Sequence, residues 1–299
     1  MTRPDRTFMP LSSPVVESRP GLPAAVVAAG RADSRARPGL AICFFGITRS
    51  LRYTLPSITA NVLEPLRRLG DVRVYAHFYE QAEIDNPRSG EKGALDPTEY
   101  RLLRADRLML ERPDTLQPGW FETIAAHGDF WQDGNRSLRN LLHQLHSLDM
   151  VTGMALEDGM KICVFCRPDL RYHDSLAPAV RRAIAAPDAL VQLPSWQSWF
   201  AMNDRFAVAK GARAIAAYGQ RGRLAVELCQ TRNEALHAES LVKYAMIRAG
   251  IRVRQIPARA SRVRFDGTEV EEDFRHPRAI RFQERFGIDV DPVLRWLRR

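Results

Sequence analysis

The sequence lacks a long uninterrupted apolar segment. No apolar run approaches the roughly 18 residues that a membrane-spanning helix needs, and this excludes a helical membrane span. The first residues, MTRPDRTFMPLSS, carry no apolar stretch of signal-peptide length behind a charged start. We therefore expect a globular protein in the cytoplasm, and we leave open a peripheral contact with the inner face of the membrane.

Cysteine is scarce, with 4 residues in a chain of 299. Cys163 and Cys166 have the C-x-x-C spacing of metal sites and redox motifs. Both lie in a predicted strand, however, where side chains three positions apart point to opposite faces. The spacing in this setting argues against a shared metal or a disulfide, and we expect buried free thiols.

Glycine-rich phosphate loops are missing as well. The chain has neither G-x-G-x-x-G nor a P-loop with its lysine, which excludes the two commonest nucleotide-binding fingerprints. No internal repeat is present.

The composition is that of a globular protein with a sizeable core, at 45% hydrophobic and 26% charged residues. The formal net charge is +9 and arginine carries most of it. This balance favours acidic partners, such as nucleic acid, anionic lipid or phosphorylated small molecules. Because an arginine-rich composition also follows from a GC-rich genome, the charge alone does not select among them.

The chain divides into an arm and one domain. Residues 1–38 are rich in Pro, Arg, Ser and Ala without sustained periodicity, and we expect a disordered or loosely packed arm. The domain, residues 39–299, opens with the apolar run LAICFFG, a helical pattern over 51–69 that Gly70 ends, and a strand over 71–79. Strand, helix and strand at this spacing predict a βαβ unit.

The alternation continues to the end of the chain. Residues 81–95 and 112–136 are expected to be mostly loop. The other expected helices are DPTEYRLLRAD, residues 137–159, SLAPAVRRAIAA, the regions near 211–219 and 238–249, and the basic C-terminus. The other expected strands are RLMLE, residues 161–166, DALVQLP, DRFAVAKG and IRVRQIP. The pattern predicts an α/β protein with a mostly parallel, open central sheet flanked by helices.

Ligands bind at the carboxyl ends of the strands in such sheets, and the first strand end reads FFGITRSLRYT. Gly46 lets a ligand approach the backbone, and Thr48 offers a hydroxyl. Arg49 offers a planar, always-charged fork that suits phosphate or a base edge. The helix N-terminus that follows is a natural anion site. The alternative is an ordinary turn with a surface arginine.

The segment KICVFCRPDL contains a second strand end that could bind a ligand. An apolar run stops there at Arg167, Pro168 and Asp169. Asp169 either caps a turn or stands at the mouth of the sheet and holds a ligand. At this point both interpretations stay open.

Several short segments, taken in order, resemble the GT-A-type nucleotide-sugar-dependent glycosyltransferases. They are FGITRSL, which is similar to the start of some bacterial members, NLLHQLHSLDMV before KICVFCRPDL, NDRFAVA, and HAESLVKYAMIRAGI. The resemblance covers roughly residues 40–256. It implies a single GT-A-like, Rossmann-like domain with a nucleotide-sugar as donor. Gln144 and Ser147, on the helix before the acidic motif, would then touch the donor, although a solvated polar face is the alternative.

The chain departs from the family at one position. The family pattern at this strand end is usually D-x-D, whose two carboxylates bind a divalent metal, and Arg167 stands where the first Asp would be. Asp169 alone could still bind Mg²⁺ or Mn²⁺ if phosphates and waters complete the shell. Alternatively, Arg167 itself neutralises the leaving diphosphate. Both versions stay open.

Glu239 and Asp204 are the candidate catalytic residues. As a general base, Glu239 would take a proton from an acceptor hydroxyl; otherwise it is a first-turn acid favoured by the helix dipole. Asp204 either binds substrate hydroxyls or belongs to a turn. His143 and His146 share one helix face, but no third ligand at clear spacing accompanies them, so packing is favoured over a metal.

The sequence therefore predicts a glycosyltransferase that moves a sugar from a nucleotide-diphosphate donor to a hydroxyl of a glycan, lipid or protein. A nucleotidyltransferase of similar fold is one alternative, and it would use the same strand-end carboxylate with Mg²⁺. The other is a basic nucleic-acid-binding protein. Scattered arginines and the lack of a recognised binding module argue against that alternative, so we expect no specific nucleic-acid partner.

Overall fold

A computed structural model describes residues 37–113, 119–198 and 202–286. The strands are β1 (Gly39–Gly46), β2 (Asp71–Tyr79), β3 (Glu83–Asn86), β4 (Glu91–Ala94), β5 (Arg107–Glu111), β6 (Ile162–Cys166), β7 (Leu170–Tyr172), β8 (Leu190–Pro194), β9 (Ala207–Lys210), β10 (Arg252–Ile256) and β11 (Ala260–Arg262). The α-helices are α1 (Leu51–Ile58), α2 (Glu64–Arg67), α3 (Trp120–Ala125), α4 (Arg136–Glu157), α5 (Ala177–Ala185), α6 (Ala212–Gly219), α7 (Ala225–Arg232), α8 (Ala238–Arg248) and α9 (Pro277–Phe286).

Seven of these strands form the central sheet, in the order β10-β8-β9-β6-β1-β2-β5. Every neighbouring pair is parallel except the two that involve β9, which runs antiparallel to β6 and β8. The predicted α/β class, with a mostly parallel sheet flanked by helices, is confirmed. No helix among the described residues is long and apolar enough to cross a membrane.

The sheet is buried on both faces, which explains the unbroken apolar sequence of its central strands. Alternate residues of β1 enter different cores: Leu40, Ile42 and Phe44 pack on one face. Ala41, Cys43 and Phe45 pack on the other. The predicted separation of the C-x-x-C thiols is confirmed in the same way, since Cys166 lies in the first core and Cys163 in the second. All four cysteines are free and buried.

The long helix expected after β1 is present as one continuous helical segment. It consists of α1, a π-helical segment at Thr59–Leu63, and α2. The loop predicted over 81–95 is instead largely the antiparallel hairpin of β3 and β4. Its strand sequences, EIDN and EKGA, have little apolar alternation, so the sequence carried no strand signal there. The hairpin packs closely on a distant segment, since a Cβ on Gly93 would lie 2.4 Å from the Phe265 ring.

Four further elements were not expected from the sequence. They are α3 within the segment 112–136, α7 after α6, and the small antiparallel pair of β7 and β11. Of the arm predicted over 1–38, only Arg37 and Pro38 are among the described residues. Residues 287–299, where we expected the end of the basic C-terminal helix, also lie outside the described part.

Two helical glycines give a test of the packing between α4 and α6. A Cβ on Gly219 would lie 2.0 Å from Thr152 Oγ1, whereas a Cβ on Gly153 would meet nothing within 4 Å. We expect Gly219→Ala to lower the free energy of unfolding by about 1–3 kcal/mol through overpacking. The control Gly153→Ala should raise it by about 0.5–1 kcal/mol, because alanine is the better helix former. Urea unfolding measures both, and a neutral Gly219→Ala would contradict the close approach of the two helices.

Candidate functional site at the strand ends

The first strand end is fixed by the backbone of Gly46. This residue has a φ of 106°, in the region that favours glycine. Its N–H donates to Ser147 Oγ at 2.8 Å, which ties the end of β1 to α4. Nothing lies within 4 Å of the position that a Cβ would take at Gly46, because this position faces an open cavity.

Arg49 brings a buried guanidinium to this end of the sheet. It donates from Nη2 to Asp169 Oδ2 at 2.7 Å and from Nη1 to Glu91 Oε2 at 2.9 Å. The amides that open α1 are already bonded: Leu51 N–H to the Thr48 carbonyl, and Arg52 N–H to a carboxylate oxygen of Glu99. Positive charge at this strand end therefore comes from the Arg49 side chain.

Asp169 is held by a second arginine across the gap between β1 and β6. Arg167 donates from Nε to Oδ1 at 2.9 Å and from Nη2 to Oδ2 at 2.7 Å, a bidentate ion pair. Its remaining Nη1 donates to Gln144 Oε1 on α4 at 3.2 Å. The side chain of Asp169 is 5% exposed, that of Arg49 8% and that of Arg167 19%.

The two guanidinium groups act on the ionisation of Asp169, and Asp169 acts on that of Arg167. Burial acts to raise the pKa of the Asp169 carboxyl, but Arg167 and then Arg49 outweigh it and hold that pKa well below the usual range. Burial acts to lower the pKa of Arg167, and the attraction of Asp169 reverses this, so the pKa lies above the ordinary arginine value. At neutral pH the group is a carboxylate between two guanidinium ions.

Glu91 extends this arrangement and was not foreseen from the sequence. It lies on β4 of the unpredicted hairpin, is 3% exposed, and accepts from Arg49 and, at 3.0 Å, from Arg264. It also accepts from Ser89 Oγ at 2.6 Å and from the amide of Phe265 at 3.1 Å. The hairpin therefore supplies the second counter-ion that lets Arg49 be buried.

A cavity of about 590 Å³ opens above these strand ends, within the usual range for small-molecule sites. Most of the residues predicted as site residues line it, namely Gly46, Arg49, Gln144, Arg167, Asp169, Asp204 and Glu239. The other two are buried behind its wall. Ser147 bonds Gly46 and His77, and Thr48 uses its carbonyl to begin α1.

Arginine dominates the cavity lining. The arginines are Arg49, Arg88, Arg139, Arg167, Arg205, Arg262 and Arg264, and the lining carboxylates are Asp85, Asp169, Asp204 and Glu239. The ion pairs of the described residues do not include Arg88 or Arg139. Each rests on an aromatic face instead, Arg88 on Trp131 at 5.3 Å and Arg139 on Phe121 at 4.1 Å. The cavity can therefore receive an anion.

The two candidate catalytic acids lie on the wall contributed by the C-terminal half of the chain. Glu239 is in the first turn of α8, next to His237, which also lines the cavity. Asp204 precedes β9, and its carbonyl accepts from Tyr218 Oη at 3.1 Å. Neighbouring Arg205 is mostly buried, and burial lowers its pKa to about 10, so it stays a cation at neutral pH.

The sequence left two alternatives open: a divalent ion bound by Asp169, or a metal-free site in which Arg167 neutralises the diphosphate. The geometry around Asp169 favours one of them. Both oxygens of Asp169 already accept hydrogen bonds from guanidinium groups at 2.7–2.9 Å. A divalent ion there would displace these bonds and face two cations at close range. The residues around Asp169 do not fit Mg²⁺ or Mn²⁺, and the metal-free version is the one favoured. A separate group, His77, Glu111 and His146, does bring its ligand atoms within 4.8 Å of one another.

We expect Asp169→Asn to lower the free energy of unfolding by about 3 kcal/mol at pH 7, since it leaves the Arg167 guanidinium without its carboxylate and Arg49 with Glu91 alone. The depressed pKa of Asp169 means that its contribution is fully present above about pH 4 and is lost as the pH falls below that value. The difference between wild type and variant should therefore shrink in acid. Urea unfolding from pH 7 down to about pH 3 measures this window.

The matched control is Asp71→Asn, in which an aspartate that is 72% exposed loses a 3.8 Å contact with Arg37. Exposed pairs of this kind contribute about 0–1 kcal/mol, so the control should unfold nearly like the wild type. An Asp169→Asn variant as stable as this control at pH 7 would contradict the buried network.

Comparisons with known proteins give only remote likenesses. Neither a protein-family model nor a curated protein sequence matches the chain. One similar structure is a Bacillus anthracis protein assigned as a glucose-1-phosphate thymidylyltransferase, in complex with a sucrose. It has 9% identity and a TM-score of 0.36, over 75% of this chain and 89% of that one. Another is mouse xyloside xylosyltransferase 1, with 11% identity and a TM-score of 0.39 over 73% and 85%. At these values neither likeness carries an argument about function.

Proposed function

We propose that the protein is a nucleotide-sugar-dependent glycosyltransferase that transfers a sugar to an acceptor hydroxyl. The observation that supports it most directly is the arginine-lined cavity at the carboxyl ends of β1 and β6, whose lining also includes Asp204 and Glu239. A diphosphate leaving group needs positive charge that is already in place when negative charge develops on it. An acceptor hydroxyl needs a carboxylate within reach of its proton.

Arg167 and Arg49 are the groups that we assign to the diphosphate. Asp169 fixes the orientation of both guanidinium groups, so they need no reorganisation when the ligand arrives. In this proposal Asp169 is a positioning residue, and arginine takes the part that a divalent metal plays at a D-x-D motif. Arg88, which stands over Trp131 without a paired carboxylate among the described residues, adds a cation at the cavity edge.

The acceptor would lie toward α8. Glu239 at its first turn is our candidate for the general base, and Asp204 for a ligand to sugar or acceptor hydroxyls. Trp131 lines the same cavity and contacts His237 in a tilted arrangement, at 6.0 Å between ring centroids. Arg88 covers one face of this ring at 5.3 Å, and in this proposal a sugar packs against the other face. The acceptor class, whether glycan, lipid or protein, is part of what the experiments must identify.

The first test measures diphosphate binding by thermal shift, with UDP, GDP, CDP, ADP and TDP, in the presence of EDTA. Ligand at about 100 times its Kd adds about 2.7 kcal/mol of stability, and we expect such a shift for at least one nucleotide. Arg88→Ala should weaken binding about tenfold or more, because a charge-assisted contact contributes about 1.5–3 kcal/mol.

The matched control is Arg213→Ala, an exposed arginine on α6 outside the cavity. It should bind like the wild type. No shift with any diphosphate, or shifts that need added Mg²⁺, would contradict the arginine-based site. Binding of an oligonucleotide instead, lost at high salt, would favour the nucleic-acid alternative.

The second test follows turnover of the nucleotide-sugar whose diphosphate binds. We expect Glu239→Gln to keep donor affinity and to lower kcat by about 10²–10⁴, the usual contribution of a general base. Asp204→Asn should raise KM for the acceptor more than it lowers kcat. Full turnover in Glu239→Gln would remove that residue from the chemistry. Release of pyrophosphate from a nucleoside triphosphate and a sugar phosphate would instead show a nucleotidyltransferase.

A further inference from the structure

Outside the cavity, one cluster of side chains combines two imidazoles and a carboxylate. His77 lies on β2, Glu111 is the last residue of β5, and His146 lies on α4. His146 Nε2 is 2.8 Å from Glu111 Oε2, and His77 Nε2 is 3.5 Å from Glu111 Oε1. The cluster therefore joins an edge strand of the sheet, its neighbour and the longest helix.

The tautomer of His77 follows from its surroundings. Ser147 Oγ accepts from the Gly46 amide and donates its single proton to the His77 carbonyl at 2.8 Å. It also lies 2.9 Å from His77 Nδ1. With the serine proton directed to that carbonyl, Nδ1 is assigned as the donor in the contact with Oγ. In the neutral ring the lone pair is then on Nε2.

That lone pair points at a carboxylate. His77 is fully buried, and its Nε2 has no hydrogen-bond partner among the described residues. A lone pair and a carboxylate oxygen 3.5 Å apart repel each other unless a cation lies between them. A second histidine already contacts the other oxygen of the same carboxylate.

We propose that His77, Glu111 and His146 form a binding site for a divalent transition-metal ion, separate from the cavity. Two imidazoles and one carboxylate are a donor set suited to Zn²⁺, Co²⁺ or Fe²⁺ and unsuited to Mg²⁺. Ligand atoms about 2.0–2.2 Å from a zinc ion lie roughly 3.0–3.5 Å from one another, so small side-chain rotations bring these three into place. The serine that fixes the His77 tautomer is the outer-shell partner such a site requires.

The coordination shell would remain open. The side chains of Glu111 and His146 are 19% and 24% exposed, so solvent reaches one side of the cluster. Three protein ligands with a solvent position are the pattern of an exchangeable or catalytic site, whereas structural zinc sites have four protein ligands. A bound ion would also clamp edge strand β5 to α4.

The test uses the full-length protein, stripped of metal with a chelator and titrated with Co²⁺, whose visible absorption reports coordination. We expect one equivalent to bind, and Zn²⁺ to displace it. Glu111→Gln and His146→Gln should weaken binding by at least about 100-fold, since loss of an outer-shell partner alone costs about 10–100-fold. His127→Gln, in the turn after α3, is the matched control and should bind like the wild type.

Failure of the wild type to bind Co²⁺ or Zn²⁺ overturns the proposal and leaves an imidazolium–carboxylate pair at the cluster. Equal binding by Glu111→Gln and His146→Gln also overturns it, because the metal would then be elsewhere. A measurement on the wild type alone covers the case in which a variant does not fold. Zn²⁺ should raise its Tm, Mg²⁺ at the same concentration should not, and equal effects of the two ions count against the site.

Discussion

The carboxylate of Asp169, held between the guanidinium groups of Arg49 and Arg167, is the interaction on which the candidate site depends. It joins the carboxyl ends of two adjacent parallel strands, β1 and β6. Through Glu91 the same network reaches the β3–β4 hairpin, and through Arg264 it reaches the segment after β11. Four stretches that are far apart in sequence are thereby brought to the floor of one cavity.

The network of buried ion pairs contributes little net folding stability, but it fixes the orientation of the two guanidinium groups. Replacing a buried ion pair with apolar groups of the same shape is often neutral or stabilising, because desolvation cancels much of the attraction. The benefit lies in geometry: a bidentate contact fixes the plane of Arg167, and a second carboxylate fixes Arg49. Guanidinium groups that are already oriented and dehydrated can stabilise charge that develops on a ligand without first moving solvent. This is the physical reason to regard the strand end as functional rather than as a capped turn.

The sequence was sufficient for those parts that follow from local patterns. Apolar runs located β1 and β6, and the rule that ligands meet strand ends singled out Gly46, Arg49, Arg167 and Asp169, all of which line the cavity. Glu91 was missed because the strands of its hairpin are short and polar, and their pairing depends on contacts with a segment more than 170 positions later. Arg264 was missed for the same reason. Contacts between residues so far apart in sequence are set by the fold as a whole, and local periodicity in the sequence does not predict them.

Ser147 was expected to touch the donor, and the structure shows which groups its hydroxyl contacts. Its position on α4 suggested a donor contact, whereas its hydroxyl is fully buried between Gly46 and His77. One oxygen thus accepts from the glycine that ends β1 and from the imidazole of the proposed metal site. A cation bound at His77 Nε2 strengthens the Nδ1–H donor and thereby polarises the Ser147 hydroxyl. The Gly46 amide, which donates to the same hydroxyl, is the next group in this series of hydrogen bonds. The two sites are therefore physically connected, and an effect of chelator on activity could arise at the histidine cluster while the diphosphate itself is held by arginine alone.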